Sequence, residues 1–130
     1  MPKNNLIDVR GLKIAFGATE AVKGIDFSIA ENDSVAIVGE SGSGKTVSAM
    51  SLARLLPPAP VCEVSGQILY KGNDINAMSN TQLRKIRGKE IAYIFQEPST
   101  SLNPVFTIGY QIAEAVKLQE LKVGSSEPGY

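Results

Sequence analysis

Apolar positions recur at every second residue in segments 6–16 and 22–30 of the chain. This period places the apolar side chains on one face of a strand and the polar ones on the other. The apolar face is formed by Leu12, Ile14 and Phe16 in the first segment and by Ile25, Phe27 and Ile29 in the second. We therefore predict antiparallel strands within residues 6–30, with one face packed and one face in water.

The pattern changes at residues 35–38, where four apolar residues run without interruption and glycine follows. Such a run is typical of a central parallel strand that is buried on both faces. After Lys45 the apolar residues adopt helical spacing, which continues until Pro57 and Pro58; they are Ala49, Leu52, Ala53 and Leu56. Residues 34–56 are therefore predicted to form a strand, a glycine-rich loop and a helix.

Strand and helix patterns also alternate in the second half of the chain. We predict a short strand near residues 67–70, a polar helix near residues 79–87 and a buried apolar strand at residues 91–95. A last helix, opened by Thr107, carries Ile108, Ile112, Ala115 and Val116 on one stripe, so that residues 91–122 form a strand followed by a helix. This alternation predicts an α/β fold.

The loop between the first buried strand and its helix, GESGSGKT at residues 39–46, matches the phosphate-binding pattern G-x-x-x-x-G-K-[ST]. Its glycines allow successive backbone N–H groups to point inward, toward phosphate oxygens. Lys45 is predicted to reach the β and γ phosphates of ATP, and the Thr46 hydroxyl to bind Mg²⁺. The alternative is a glycine-rich turn that caps a helix, but a lysine in the first helical turn opposes the helix dipole.

Composition excludes several other kinds of site. Thirteen basic and thirteen acidic residues balance, so the totals do not indicate a nucleic-acid or anionic-membrane surface. The single cysteine, Cys62, excludes an internal disulfide and a multi-thiolate metal site. The first ten residues lack the apolar core of a signal peptide, and no apolar run approaches the roughly 20 residues that span a bilayer.

Three stretches carry a family resemblance: AIVGESGSGKT at 36–46, SGQILYKG at 65–72 and RGKEIAYIFQEPSTSLNP at 87–104. Together they resemble the ATPase subunits of oligopeptide and dipeptide ABC importers, from about Leu6 to about Glu120. The resemblance implies a P-loop NTPase core with an N-terminal antiparallel β subdomain. Residues 1–130 would be the N-terminal part of one nucleotide-binding domain, truncated after the helix that follows the family's glutamine-containing Q-loop.

The resemblance also implies residue roles. Gln96 matches the Q-loop glutamine, which in the family contacts Mg²⁺ and the attacking water; Thr46 is the other implied metal ligand. Phe16 matches the aromatic residue that stacks on adenine, with Val22 beneath it, although Phe16 also alternates with Leu12 and Ile14 as a core residue would. The implied nucleotide-binding residues of the loop are Gly39, Glu40, Ser41, Gly42, Ser43, Gly44, Lys45, Thr46 and Val47.

A protein of this type would bind ATP with Mg²⁺ and work with transmembrane permease subunits and a second ATPase subunit, identical or different. It would bind no nucleic acid and would be cytoplasmic, held peripherally at the inner face of the cell membrane through its partners. Dipeptides, oligopeptides, nickel and peptide antibiotics are all solutes that suit this subfamily.

Parts of the family's hydrolytic machinery are missing from the chain. It contains no histidine, no LSGGQ-like signature and no second acidic strand end with a metal-binding aspartate and a catalytic glutamate. We therefore expect no hydrolysis by the chain alone, and the alternative function is a nucleotide-binding module without turnover. The family's sheet also places later strands between segments 35–38 and 91–95, so both segments are expected to lack neighbours. A GTPase would require an [NT]KxD motif, and a small-molecule kinase would not contain IFQEP.

Overall fold

The computed structural model describes residues 4–124, which divide into a unit that ends at Leu83 and a unit that begins at Arg84. The first unit contains the strands β1 (Asn5–Phe16), β2 (Thr19–Ala30), β3 (Glu63–Tyr70) and β4 (Asn73–Asp74), the helix α1 (Lys45–Ser51) and a 3-10 helix (Ile75–Ala77). Helix α2 (Asn80–Ile86) crosses the division. A second 3-10 helix (Pro98–Ser101) and helix α3 (Ile108–Gly124) follow.

The strands form one antiparallel sheet in the order β2-β1-β3-β4. The predicted antiparallel pair within residues 6–30 is confirmed, and the strand predicted near residues 67–70 is longer, beginning at Glu63. The register shifts where β1 passes Gly11, whose φ is 58° and whose N–H donates to the Asp26 carboxylate. Opposite, a Cβ on Gly66 would overlap the Gly11 carbonyl oxygen. The bulge therefore requires glycine on both strands.

One face of this sheet packs into the core of the first unit. Leu12 and Ile14 are fully buried, as their alternation predicts, whereas Ile25 on β2 remains 38% exposed. The free thiol of Cys62 is also buried, and burial raises its pKa. The buried apolar residues of this unit are Val9, Leu12, Ile14, Val22, Ala30, Ala53, Cys62, Ile68, Tyr70, Ile75 and Leu83.

Helix α1 ends earlier than its apolar spacing predicts. It stops at Ser51, not at Leu56, because Arg54 adopts a left-handed conformation with φ of 54°. Two backbone bonds close this end: the Leu55 N–H donates to the Met50 carbonyl and the Arg54 N–H to the Ser51 carbonyl, both at 3.0 Å. This is the Schellman arrangement. The residue with positive φ turns the chain so that its own N–H and the next one donate to carbonyls of the last helical turn.

The predicted polar helix near residues 79–87 is confirmed as α2. Its start is a capping box. The Gln82 N–H donates to the Ser79 hydroxyl at 3.2 Å, and the Ser79 N–H donates to the Gln82 side-chain oxygen at 2.9 Å. Just before it, the Asp74 carboxylate accepts the Asn76 N–H at 2.9 Å and so begins the first 3-10 helix. Local side-chain bonds therefore determine where both short helices start.

The prediction of a central strand at residues 35–38 is wrong for this structure. These residues have no regular secondary structure, and Val35, Ile37 and Val38 are 51%, 47% and 88% exposed. Within residues 4–124 no strand pairs with them, although an apolar strand of this kind needs neighbours on both edges and cover on both faces. Among the described residues, the apolar run alone is therefore not enough to form a strand.

In the second unit, the strand predicted at residues 91–95 is not formed either. Ile91 forms an isolated parallel bridge with Arg87, but Ile94 and Phe95 are 96% and 50% exposed. The helix predicted after Thr107 is confirmed as α3, and the Tyr110 N–H donates to the Thr107 hydroxyl at 3.2 Å. The predicted apolar stripe of this helix is not covered in this unit, since Ile108, Ile112 and Val116 are at least half exposed. None of the helices within residues 4–124 is both long enough and apolar enough to cross a membrane.

Candidate functional site

The loop of residues 39–46 is a tight turn that leads directly into α1. The Ser43 N–H donates to the Glu40 carbonyl at 3.1 Å, and Gly42 and Gly44 have φ of 80° and 92°. Gly44 is the N-cap of α1, and its carbonyl accepts the Ser48 N–H at 3.0 Å. The glycines therefore occupy backbone conformations that L-residues rarely adopt, as the sequence pattern predicts.

Lys45 folds back over the start of this loop. Its ammonium group donates to the carbonyl oxygens of Gly39 and Glu40, the second at 2.9 Å. Both acceptors are uncharged, so these bonds hold the side chain against the loop without neutralising its charge. The positive charge is thus available to an anion that enters the loop.

Strand β2 supports the other side of the loop. A Cβ on Gly44 would lie 2.7 Å from the Ala21 carbonyl oxygen and 3.1 Å from the Val22 side chain. Val22 is only 5% exposed, so this contact belongs to the core of the first unit. The antiparallel sheet therefore positions the beginning of α1 through the backbone of β2.

A cavity of about 570 Å³ opens between β2, the residues before the loop, and the loop itself, a volume in the range of small-molecule sites. Its wall contains carbonyl, hydroxyl and ammonium groups next to apolar side chains. The lining residues are Glu20, Ala21, Val22, Lys23, Ile25, Ile37, Val38, Gly39, Gly42, Ser43, Gly44, Lys45 and Ser48.

The cavity brings together some, but not all, of the residues predicted to bind a nucleotide. Val22, Gly39, Gly42, Ser43, Gly44 and Lys45 line it. Glu40, Ser41, Thr46, Val47 and Phe16 lie in the same unit but outside the wall. Phe16 is the half-buried last residue of β1 and pairs with Thr19.

Sequence reasoning missed other members of the wall. Ser48 is only 3% exposed and lies one helical turn after Gly44, so the pattern of residues 39–46 ends before reaching it. Glu20, Ala21 and Lys23 belong to β2, which carries no binding motif. Only the packing of β2 against Gly44 places these side chains beside the loop.

Gln96 and Glu97 belong to the second unit. Gln96 is exposed in a bend, after the irregular segment that contains Ile94 and Phe95. The Glu97 carbonyl accepts both the N–H and the hydroxyl of Thr100, at 3.2 and 2.7 Å. These bonds stabilise the 3-10 helix at Pro98–Ser101.

Comparison with protein families gives the context of this loop. The family model described as "ABC transporter" matches residues 22–124, which include most of β2, the loop, α1 and Gln96. The chain belongs to the ABC transporter family.

Relatives within this ABC transporter family have names that refer to peptide or oligopeptide transport or to glutathione import. A probable peptide ABC transporter ATP-binding protein of Sinorhizobium fredii is 45% identical over 117 residues, which is 87% of this chain and 35% of the relative. The oligopeptide transport ATP-binding protein OppD of Bacillus subtilis is 41% identical over 115 residues, 85% of this chain and 32% of the relative. A glutathione import ATP-binding protein of Salmonella choleraesuis is 40% identical over 129 residues, 92% of this chain and 21% of the relative.

This ABC chain therefore spans about a third or less of the length of these relatives. Their alignments cover most of the chain and include the loop, so the predicted family is confirmed. The fold class predicted from the resemblance, a partial P-loop NTPase with an N-terminal antiparallel sheet, is confirmed as well.

The close approach of Gly44 to β2 leads to a testable prediction about the stability of the first unit. Gly44→Ala should destabilise the first unit by about 1–2 kcal/mol through its positive φ and by about 1–3 kcal/mol more through overlap with the Ala21 carbonyl. Chemical denaturation followed by circular dichroism measures the loss.

Gly42→Ala is the matched control, because Gly42 also has a positive φ but a Cβ there would meet nothing within 4 Å. Gly42→Ala should therefore destabilise the first unit only by the about 1–2 kcal/mol that the positive φ costs. Equal destabilisation by the two substitutions would contradict the claim that β2 packs against the loop at Gly44.

Proposed function

We propose that the chain binds MgATP through the loop of residues 39–46. The observation that carries this proposal is the position of Lys45, whose ammonium charge lies against two loop carbonyls beside a cavity of about 570 Å³. In a loop of this kind, the glycines and the start of the following helix would present backbone N–H groups to a bound phosphate. An anionic group is the ligand that this combination favours.

The residues present suit a phosphate chain. Gly39 and Gly44 keep the cradle open, because a Cβ on Gly39 would lie 2.6 Å from the Ser43 hydroxyl and one on Gly44 would meet the Ala21 carbonyl. Lys45 would bind the β and γ phosphates, and the exposed Thr46 hydroxyl would bind Mg²⁺. Bound Mg²⁺ would offset phosphate charge.

Other residues are assigned by the family resemblance alone. Phe16 would stack on adenine, with Val22 as its apolar neighbour, and Gln96 would act as the Q-loop glutamine that contacts Mg²⁺ and the attacking water. The remaining loop positions, Glu40, Ser41 and Val47, would contribute backbone N–H groups to the phosphate site.

For the protein to which this sequence belongs, we propose the role of an ATP-binding subunit in an importer of peptides or similar solutes. The resemblance and the names of the relatives support this role. Permease subunits would carry the solute, a second ATPase subunit would complete the pair, and the protein would lie at the inner face of the membrane through these partners.

The alternative is a nucleotide-binding module without turnover. A specific observation favours it for the chain as given: no histidine, signature loop or second acidic strand end is present in the sequence. Both proposals require nucleotide binding, and they differ in hydrolysis.

Nucleotide binding is tested by titrating the purified chain with a fluorescent ATP analogue in the presence of Mg²⁺. Saturable binding that unlabelled ATP displaces is the expected result. Inorganic triphosphate should displace the analogue more weakly, because it offers phosphates but no base. Absence of saturable binding by the folded chain would contradict the proposed function.

The role of Phe16 gives a separate prediction. Phe16→Ala should weaken ATP binding by about 1–3 kcal/mol, as loss of an aromatic stacking partner does. Binding of inorganic triphosphate, which has no base, should change less; displacement titrations of both variants measure the difference. Equal losses for ATP and triphosphate would indicate instead that Phe16 is a core residue whose removal loosens β1.

A further inference from the structure

Arg54 occupies an unusual backbone position three residues after the end of α1. Its φ of 54° lies in the left-handed region, where glycine is the usual residue of a helix C-terminus. A non-glycine residue there costs about 1–2 kcal/mol. The side chain of Arg54 must therefore contribute something that glycine would lack.

The guanidinium group donates hydrogen bonds to a separate part of the first unit. It donates to the Met78 carbonyl at 2.8 Å, to the Asn76 carbonyl at 3.4 Å and to the Asn80 side-chain oxygen at 3.1 Å. The carbonyls lie at the end of the 3-10 helix, where a cation is favoured, and Asn80 begins α2. Arg54 thus joins the C-terminus of α1 to the segment that connects the sheet with α2.

The opposite end of α1 carries the phosphate loop. Gly44 is the N-cap, and Lys45 and Thr46 form the first turn. From residue 45 to residue 54 a helix would extend only about 14 Å. A tilt of roughly 5° at one end of such a lever therefore moves the other end by about 1 Å. Hydrogen bonds to phosphate depend on distances of about 2.7–2.9 Å, so a shift of this size weakens them.

We infer that Arg54 is a positioning residue for the phosphate loop: its side chain fixes the direction of α1 and thereby the places of Lys45 and Thr46. This inference rests on the proposed binding of ATP. Arg54 is not among the residues that line the cavity, and the bonds of its guanidinium group given above reach Asn76, Met78 and Asn80. The inferred effect on the loop is transmitted through α1.

The test replaces Arg54 with glycine. Arg54→Gly keeps the left-handed turn, because glycine adopts positive φ without strain, and removes the whole side chain with its guanidinium group. MgATP affinity should fall about 3- to 30-fold, the range expected when a residue acts through others. Binding is measured well below the melting temperature of each variant, so that lower stability by itself does not change the affinity of the folded molecules.

Lys71→Gly is the matched control. Lys71 is also basic and also left-handed, with φ of 48°, but it follows β3, where its ammonium lies 5.3 Å from the centre of the Tyr70 ring. Its replacement should leave MgATP affinity within about twofold of the wild type, as expected for a surface substitution away from the site. Equal losses at positions 71 and 54 would overturn the inference, since a general effect of removing a left-handed basic residue would then explain both.

Milder variants keep the test informative if Arg54→Gly folds poorly. Arg54→Lys retains the charge but loses the planar fork, so its affinity should lie between those of the wild type and Arg54→Gly. Asn80→Ala removes one acceptor and should weaken binding in the wild type but add little in Arg54→Gly.

The outcomes separate this inference from the proposed function. Saturable ATP binding by the wild type together with unchanged affinity of folded Arg54→Gly or Arg54→Lys overturns the role of Arg54 and leaves the ATP site standing. Absence of binding by the wild type overturns both. Equal effects of Asn80→Ala in the two backgrounds would also contradict the proposed connection through Asn80.

Discussion

Replacement of Lys45 by alanine should weaken MgATP binding about 10- to 150-fold, which corresponds to the loss of about 1.5–3 kcal/mol from hydrogen bonds that involve a charged group. The ammonium group of Lys45 donates to the carbonyls of Gly39 and Glu40 and lines the cavity. Displacement of a fluorescent ATP analogue measures the change. The loss of affinity in Lys45→Ala should be larger for ATP than for AMP, because Lys45 is assigned to the β and γ phosphates, which AMP lacks.

Two further variants separate the charge from other effects. Lys45→Met keeps much of the side-chain volume and should lose as much affinity as Lys45→Ala if the charge is what matters. Lys13→Ala makes the same change in net charge at an exposed position on β1 outside the cavity wall, and its affinity should match the wild type. ATP affinity that is unchanged in Lys45→Ala would refute the assignment of the loop.

The second prediction is that the isolated chain does not hydrolyse ATP at a steady, measurable rate. Phosphoryl transfer to water requires a group that orients and activates the water as well as a clamp on the phosphates. The loop and Lys45 supply part of the clamp. The sequence contains no second acidic strand end to supply the glutamate of the family, and no histidine.

Glu97 does not substitute for that glutamate. The residue before it is Gln96, where the acidic strand of the family has its metal-binding aspartate, and Glu97 is exposed in the irregular segment before the 3-10 helix at Pro98–Ser101. In the family, each ATP also lies between the phosphate loop of one subunit and the signature of the other. A chain without a signature therefore completes neither site in a homodimer.

The measurement is phosphate release by the purified chain, alone and with an excess of an intact ATPase subunit. Lys45→Ala controls for contaminating ATPases. We expect equal and negligible release from both variants in either condition, because a partner can supply a signature but not the base and histidine of this chain. Steady release that disappears in Lys45→Ala would show that another group serves as base.

The sequence by itself determined the features whose causes are local. Alternation in residues 6–30 predicted two strands, and the polar pattern near residues 79–87 predicted the helix that begins where Ser79 and Gln82 form a capping box. The glycines of the loop likewise had to adopt the conformations that the phosphate-binding pattern requires. Each of these depends on neighbours within a few residues or on a strong period, so the pattern alone sufficed.

Tertiary structure alone decided whether the apolar segments 35–38 and 91–95 became strands. Both have the composition of buried strands, yet neither pairs as predicted, since strand formation requires partners that lie far away in the sequence. The end of α1 also involves distant residues: Arg54 has a backbone conformation typical of glycine, and its guanidinium group donates to Asn76, Met78 and Asn80. The cavity wall, too, depends on β2 lying against Gly44. These contacts join residues about twenty or more positions apart, and no local pattern contains them.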